Sequence, residues 1–304
     1  MTFTCNVCGQ AGNRLLPAHY DNPEMASCTA CGSNVRFRWL ADRLARELFG
    51  RRVLLPDFPS DPSLRGLGLT DPLSIAGPLA ERFTYVNTYF DIEPRFDIRT
   101  GDSPIGELDF LISSEVFEHI EPPVSVAFRN AARLLKPGGV LLLTTPWILD
   151  GRDRDVLPEL YDWKLDYTAG NCSIVNRGPD GGVEWFRDIR ADGSPGRTFG
   201  RTREHFPELH DWRLIEEDSA WRLENKRRDG EVEVFHNLCF HGGRGLALEM
   251  RIFTRGSLEQ DLREAGFTSV EFDNEEYADF GIIFPHPWTH PIVARKAPAN
   301  GKIR

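Results

Sequence analysis

A chain of 304 residues, 40% hydrophobic and 27% charged, is long enough for two domains or for one large domain with an appended module, and its composition is that of a protein with a buried core. Its 36 basic against 46 acidic residues give a net charge of −10, a global field that argues against nucleic acid or an anionic membrane as the main partner. No apolar run approaches the roughly 18 residues of a spanning helix, and Met1 to Gln10 lack the basic and apolar regions of a signal peptide, so the expected location is the cytoplasm.

Four of the six cysteines form two knuckles, Cys5-x2-Cys8 and Cys28-x2-Cys31, each followed by a glycine (Gly9, Gly32). Each tight turn aims two sulfurs at one point, and the 19-residue connection brings the second pair round to the first. Four thiolates leave no open coordination position, so Cys5, Cys8, Cys28 and Cys31 are expected to hold a structural zinc. Disulfides and redox dithiols are the competing readings; a cytoplasmic setting disfavours the first and the duplicated knuckle the second. Cys172 and Cys239 read as core or surface thiols.

Behind the knuckles, Phe37, Leu40, Leu44 and Leu48 recur at helical spacing and Gly50 supplies a stop. Arg36, Arg38, Arg43 and Arg46 decorate this helix. With Asp42 and Glu47 beside them they read as a solvated face, a nucleic-acid contact being the other reading. Residues 51–63, rich in Pro and Asp, form a lead-in loop. Leu64 to Asp71 then predicts a strand and its turn, Pro72 to Phe83 a helix, and Thr84 to Phe90 a second strand. That order is β-α-β, with Gly66 and Gly68 near the first crossing. The third glycine usual in such a loop is missing. A second register, with Val53 to Asp57 as the first strand and Gly66 to Asp71 as the second, stays open. Glu93 to Ile98 supplies a short third strand, with Gly101-Asp102 at its end.

Asp109 to Ser114 is a short apolar run ending in small polar residues, as a buried parallel strand does where its carboxyl end opens into a site. Val124, Ala127, Phe128, Ala131, Leu134 and Leu135 follow at helical spacing, and Lys136-Pro137-Gly138-Gly139 stops the helix. Val140 to Leu143 is the next buried strand. A right-handed crossover places the carboxyl ends of two such strands side by side, where open α/β sheets bind ligands.

Here the sequence resembles class I S-adenosylmethionine-dependent methyltransferases. SSEVFEHI (Ser113 to Ile120), followed by RLLKPGGVLLLTTP (Arg133 to Pro146), looks like their fourth strand, following helix and fifth strand. The resemblance covers about residues 64–146 and 246–296. It implies an α/β fold with a Rossmann-like, mostly parallel seven-stranded sheet and S-adenosylmethionine as cofactor. Gly66, Gly68 and Asp71 would lie beside the cofactor, and Asp91, just past the second strand, would accept the ribose hydroxyls. Solvated loop acids are the plain alternative for Asp71 and Asp91. The resemblance implies an Asp near the adenine amino group, Asp97 first and Asp102 second, and Ser113, Ser114 and Glu115 on the methionine side. His119 stands where the motif has its histidine, either as a base poised near neutrality or as a hydrogen-bonded structural residue. The segment CGSNVRFRWLADRL (Cys31 to Leu44) is similar to zinc modules that precede some bacterial methyltransferase domains.

After Pro146 the chain repeats itself: PELYDWKL at 158–165 returns as PELHDWRL at 207–214, a shift of 207 − 158 = 49. Over positions 158–189 the shift yields 12 identities in 32, where roughly two are expected of unrelated segments. Residues 151–245 therefore read as a duplicated β-hairpin insert, copies 158–189 and 207–238, with an Asp-Gly turn in each. The second copy alone continues into a His-Gly-Gly. His236, His241 and Arg244 are thus candidates to receive a hydroxyl or bind an anionic acceptor, a flexible turn or a purely structural repeat being the alternatives.

Residues 246–304 return to the sheet. Ser257 to Ala265 predicts a helix with Ser257-x-x-Gln260 as capping box and Gly266 as stop. Thr268 to Phe272 and Pro291 to Lys296 are the last strands; in the resembling family this pair includes an antiparallel seventh strand between the fifth and sixth. The expected organisation is a zinc-binding module and helix at 1–50, a cofactor domain at 51–150, the insert at 151–245 for the acceptor, and the returning strands at 246–304. The leading expectation is methyl transfer to a small-molecule or glycan acceptor, with His119 and His241 as candidate catalytic residues. An RNA methyltransferase with a zinc reader module, and a non-catalytic cofactor-binding or zinc-scaffolded interaction protein, are the alternatives. Nothing in the sequence indicates the oligomeric state.

Overall fold

The computed structural model describes residues 1–90, 92–120, 124–148, 154–155, 162–168, 171–177, 183–186, 211–217, 220–226, 229–241, 247–249, 251–284, 286 and 290–299. The chain divides into two units, one of Met1–Val116, Ser125–Asp150 and Arg255–Arg304, the other of Phe117–Val124 and Gly151–Thr254.

The first unit begins with the short antiparallel pair Thr2–Phe3 and Asn13–Arg14, which brackets the first knuckle. The helix α1, Val35–Phe49, starts where the Asn34 side chain accepts a hydrogen bond from the Phe37 amide at 3.0 Å. It ends at Gly50, whose φ of 67° is the left-handed cap expected of that glycine. Val35, Trp39, Leu40 and Leu44 are buried, and so are Arg36, Arg38, Asp42 and Arg43. The expected solvated face is therefore not found. Arg43 donates to Asp273 at 2.8 Å and to Glu271 at 2.7 Å, and Arg46 pairs with Asp42 at 3.0 Å and Glu275 at 2.6 Å. Arg38 is wholly buried. Apart from Asp42, these partners lie more than two hundred residues along the chain, beyond the reach of a reading of local charge pattern.

The sheet follows as β1 Arg65–Leu69, α2 Leu73–Arg82, β2 Thr84–Thr88, β3 Leu108–Ser114, α3 Ser125–Leu134, β4 Leu135–Thr144, α4 Arg255–Glu264, β5 Phe267–Phe272 and β6 Ile292–Lys296. These strands form one six-stranded sheet in the order β5-β6-β4-β3-β1-β2. The four strands β2, β1, β3 and β4 run parallel, with Gly66 opposite Tyr85, Leu69 opposite Ser113 and Ile112 opposite Leu142. β6 is antiparallel to both β4 and β5, with Ala294 opposite Leu141 and Val270. This is a Rossmann-like, mostly parallel sheet with the inverted strand where the resemblance expects it. The first strand is Arg65–Leu69; Leu55–Asp57, in the alternative register, is a 3₁₀ turn containing Pro56.

Two expectations change. Among the described residues the sheet has six strands, not seven, since Glu93–Ile98 makes only the single bridge Tyr89–Arg95. There the Asp97 carboxylate accepts from the Arg99 amide at 2.8 Å and its carbonyl from the Thr100 and Gly101 amides at 3.1 and 2.7 Å, so the chain turns where a strand would run on. The helix α4 begins at Arg255, which puts Ser257 inside its first turn rather than at the cap; Gln260 bonds Glu264 at 2.8 Å instead.

Side chains alternate across the sheet. Phe110, Ile112, Val140, Leu142 and Val293 share one core with α1, α2 and the cysteine module, through an aromatic chain from Phe49 and Phe58 to Phe83 and Phe110. Leu67, Leu111, Leu141 and Ala294 alternate with them and are equally buried.

In the second unit, Asp162–Thr168, Asn171–Arg177 and Val183–Phe186 pair antiparallel in turn, as do Asp211–Glu217, Ala220–Lys226 and Val232–His241. Arg177 faces Asp162 and Val183; Lys226 faces Asp211 and Val232. The two registers are related by the same shift, 226 − 177 = 49. Arg154–Asp155 pairs antiparallel with Arg251–Thr254.

Candidate functional site

The connection from β1 through α2 leads to β2 on one side, and that from β3 through α3 leads to β4 on the other. The winding therefore reverses between β1 and β3, and a crevice opens where their carboxyl ends diverge. Thr70 and Asp71 follow β1; Ser113 and Ser114 end β3 and Glu115 follows. Thr70 (φ 62°) and Glu115 (φ 54°) are the only non-glycine residues with left-handed backbone among the described residues. Such conformations cost free energy and persist where the surroundings impose them, which is common at ligand sites.

Asp71 is buried. Its Oδ2 accepts the Tyr85 hydroxyl at 2.5 Å, while the Asn87 side chain accepts from the Asp71 amide at 2.9 Å and donates to its carbonyl at 2.8 Å. Burial pushes the carboxyl up to about 7, only partly opposed by the Tyr85 hydrogen bond. Asp71 Oδ1 and the buried Ser113 Oγ have no hydrogen-bond partner among the described residues. Asp71 follows β1 and Ser113 ends β3, so both stand at the carboxyl ends that flank the switch point, where a polar ligand would satisfy such groups.

Gly66 and Gly68 lie within β1 rather than in the turn after it. A Cβ on Gly66 would fall on the Phe110 ring, and one on Gly68 on the Tyr85 hydroxyl and the Asp71 carboxylate. What the two glycines admit is the chain's own side chains. Ser114 and Glu115 meet α1: Arg36 Nη1 donates to Ser114 Oγ at 3.0 Å and to Thr144 Oγ1 at 3.5 Å, lies 3.0 Å from Glu115 Oε1, and Arg36 Nη2 pairs with Glu24. Asp97 is half-buried in its turn. Asp102 is exposed and pairs with Arg133 at 2.7 Å, in a loop held by the Asn130 amide through Ile98 and Gly101. Asp91, Arg244 and the loop residues Pro285 and Pro287 to Thr289 lie outside the described residues.

Thus the structure brings Asp71, Ser113, Ser114 and Glu115 to the mouth of one crevice, with Asp97 and Asp102 in the loop after β2. Tyr85, Asn87 and Arg36 were missed by sequence reasoning. The alternation Tyr85, Asn87, Tyr89 beside Gly68 was the available signal for the first two. His119 ends the 3₁₀ turn Phe117–His119 of the second unit, with Nε2 3.6 Å from the buried Glu118 Oε1. His241 closes the strand Val232–His241, opposite Ala247.

At the amino terminus the four thiol sulfurs lie within 4.8 Å of one another, Cys5 to Cys31 at 3.7 Å and Cys8 to Cys28 at 3.6 Å. A tetrahedron of sulfurs about 2.3 Å from a zinc ion has edges of about 3.8 Å, so the cluster is consistent with a zinc site. Burial raises the Cys5 and Cys8 thiols. At Cys28 burial acts the same way, but the amides of Cys31 and Ala30 and the thiols of Cys8 and Cys31 outweigh it and bring the thiol down to about 7.

No helix among the described residues is long and apolar enough to cross a membrane. Residues 44–178 match the family model described as a methyltransferase domain. No curated protein matches the chain. Among solved structures, the chain is similar to an amino pentose methyltransferase from Micromonospora echinaspora (15% identity over 88% of this chain and 93% of that one, TM-score 0.38). It is also similar to a sugar N-methyltransferase from Streptoalloteichus sp (12% identity, 95% of each chain, TM-score 0.40). A third, the 1,6-didemethyltoxoflavin-N1-methyltransferase of Burkholderia thailandensis, shares 13% identity over 86% of this chain and 78% of that one, with a TM-score of 0.38. The sheet order with its switch point and the match over residues 44–178 agree, and this part of the chain is an S-adenosylmethionine-dependent methyltransferase domain.

Proposed function

We propose that the protein transfers the methyl group of S-adenosylmethionine to a nucleophilic atom of a small-molecule or glycan acceptor. One observation carries the reading: left-handed Thr70 and Glu115 follow β1 and β3 on either side of the switch point, and the buried Asp71 Oδ1 and Ser113 Oγ, in the same two chain segments, have no hydrogen-bond partner among the described residues. A buried acid, two serines and a glutamate fit a ligand that is nucleoside at one end and amino acid at the other. S-adenosylmethionine supplies an electrophilic methyl group on a positively charged sulfur.

In this reading Ser113, Ser114 and Glu115 bind the amino acid end, with Asp71 in the turn after the strand that carries Gly66 and Gly68. Asp91 takes the ribose hydroxyls, and Asp97, or Asp102, the adenine. Methyl transfer needs mainly alignment, so a base is not obligatory; where the acceptor carries a proton, His119, beside Glu118, or His241 receives it. Cys5, Cys8, Cys28 and Cys31 hold a structural zinc, and the insert at 151–245 recognises the acceptor. An RNA acceptor is disfavoured because, of Arg36, Arg38, Arg43, Arg46, Arg51 and Arg52, its best argument in sequence, all but the exposed Arg51 are buried or paired with acids.

The non-catalytic reading is favoured by one observation, that Phe110, Tyr85 and Asp71 fill the room beside Gly66 and Gly68. Titration calorimetry of the full chain with S-adenosylmethionine and S-adenosylhomocysteine, followed by labelled methyl transfer to candidate glycans, separates the cases. Binding with transfer supports the proposal, binding with no transfer to any acceptor supports a non-catalytic cofactor-binding protein, and no binding by folded, metal-loaded protein overturns the enzyme reading and leaves a zinc-scaffolded interaction protein.

A further inference from the structure

Arg36 is buried on α1, yet its guanidinium belongs to the crevice. It serves four acceptors at once: Ser114 Oγ, Thr144 Oγ1, Glu115 and Glu24. Ser114 and Thr144 are themselves 2.9 Å apart at the ends of β3 and β4, and the Glu115 amide donates to the Thr144 carbonyl at 2.9 Å. The left-handed backbone of Glu115 would otherwise relax; a charge-assisted bond to a fixed guanidinium is a force able to hold it.

The position of Arg36 is set from the other direction by the cysteine cluster. Ser33 Oγ lies 3.1 Å from Cys5 Sγ, and the Ser33 carbonyl accepts from the Ser27 and Cys28 amides at 3.0 and 3.1 Å. The next residue, Asn34, caps α1 through the Phe37 amide. Arg36 lies five positions after Cys31. A loosened knuckle therefore frees the first turn of α1, and with it the guanidinium.

We propose that Arg36 is a positioning residue of the cofactor crevice, holding Glu115 and the Ser114–Thr144 pair in place, so that cofactor affinity is coupled to metal occupancy of the four-cysteine cluster. The proposal rests on the reading of the crevice as the cofactor site. Its electrostatics fit the ligand: Glu24 and Glu115 share one guanidinium, leaving an excess negative charge where a cationic sulfonium and ammonium would lie. Arg36 thus orders the acids without cancelling their attraction.

The test is calorimetric titration of the full chain with S-adenosylmethionine and S-adenosylhomocysteine, with metal content and Tm recorded for each sample. Arg36→Met should weaken S-adenosylhomocysteine binding by about tenfold or more, and Arg36→Lys, which keeps the charge but not the fork, should recover part of the loss. Because two uncompensated carboxylates remain, Arg36→Met should also raise the preference for the cationic S-adenosylmethionine over the neutral product. A merely structural role would weaken both ligands alike. Chelation of the wild-type protein should lower affinity for both ligands, and zinc should restore it. Wild-type affinity in a metal-loaded Arg36→Met protein, or unchanged affinity after chelation, overturns this proposal and leaves the methyltransferase reading standing. No binding by the wild type overturns both. If Arg36→Met does not fold, Arg36→Lys decides by the same titration: unchanged affinity overturns, a loss supports.

Discussion

Trp39 Nε1 donates to Asp273 Oδ2 at 2.8 Å, a buried bond between the helix behind the cysteines and the loop after β5. The same oxygen receives Arg43 at 2.8 Å and Arg46 at 3.3 Å. Asp273→Ala should lower stability by roughly 3–5 kcal/mol, because two guanidiniums lose their shared buried counter-charge. Trp39→Phe should cost about 1–3 kcal/mol. Denaturant titration of the two variants checks the order; equal effects would mean that the arginines do not depend on Asp273.

That network also sets the acid limit. Burial alone would raise Asp273, but the Glu275 amide, the Trp39 indole and the guanidiniums of Arg43 and Arg46 hold it below the usual carboxylate range; at Glu47 burial is likewise outweighed, by Arg295 and Arg43. A depressed folded pKa contributes stability that is present above the unfolded value of about 4 and lost as pH falls through the folded one. The wild type should lose more stability than Asp273→Asn as pH drops below about 4, measured by Tm in matched buffers.

Asp71 has the opposite sign. Its folded pKa of about 7 lies above the unfolded value, so its contribution is complete below the ordinary carboxylate pKa and is lost as pH rises through neutrality. In ligand-free protein, the Tm of the wild type should fall relative to Asp71→Asn between about pH 5 and 8, by several degrees. A difference between the two that does not vary with pH would show that Asp71 is not strained by ionisation.

Gly66→Ala should destabilise by roughly 1–3 kcal/mol through overpacking against the Phe110 ring. A smaller Leu at position 110 should restore part of that loss. If the two changes simply add, the clash is not with Phe110.

Arg38 has no carboxylate partner among the described residues. Its guanidinium donates to Ser27 Oγ, the Ser33 carbonyl and the Gly281 carbonyl, lies 4.4 Å from the Phe3 ring, and is drawn down to about 10 by burial while the thiols of Cys5, Cys28 and Cys31 oppose the fall. Four thiolates around a divalent ion would carry excess negative charge, and Arg38 would then be their buried counter-charge. Arg38→Met should therefore weaken zinc binding by about tenfold or more, read by competition with a chromophoric chelator. Unchanged zinc affinity would remove Arg38 from the site.

The sheet was legible because its strands are short apolar runs closed by turn residues: Leu108–Ser114 and the run ending at Thr144 announce themselves, as does the crossover helix between them. The expected third strand was not, because Asp97 offers its carboxylate to the backbone two residues on, and that local bond outcompetes the ladder. The crevice was half legible. Ser113, Ser114, Glu115 and Asp71 are readable from strand ends, whereas Arg36 belongs to a helix that a local charge count assigns to solvent. Its partners are 78 and 108 residues away, and only the folded chain brings them together.

The equal registers of the two meanders give the second unit an internal reference. A substitution within Asp162–Thr168, Asn171–Arg177 or Val183–Phe186 has a counterpart 49 residues later on a strand paired in the same order, so each experiment on one copy carries its own control in the other. Leu165 and Leu214 form one such pair, opposite Ile174 and Leu223. A change that matters at one position and not at its twin reports a task that only one copy performs.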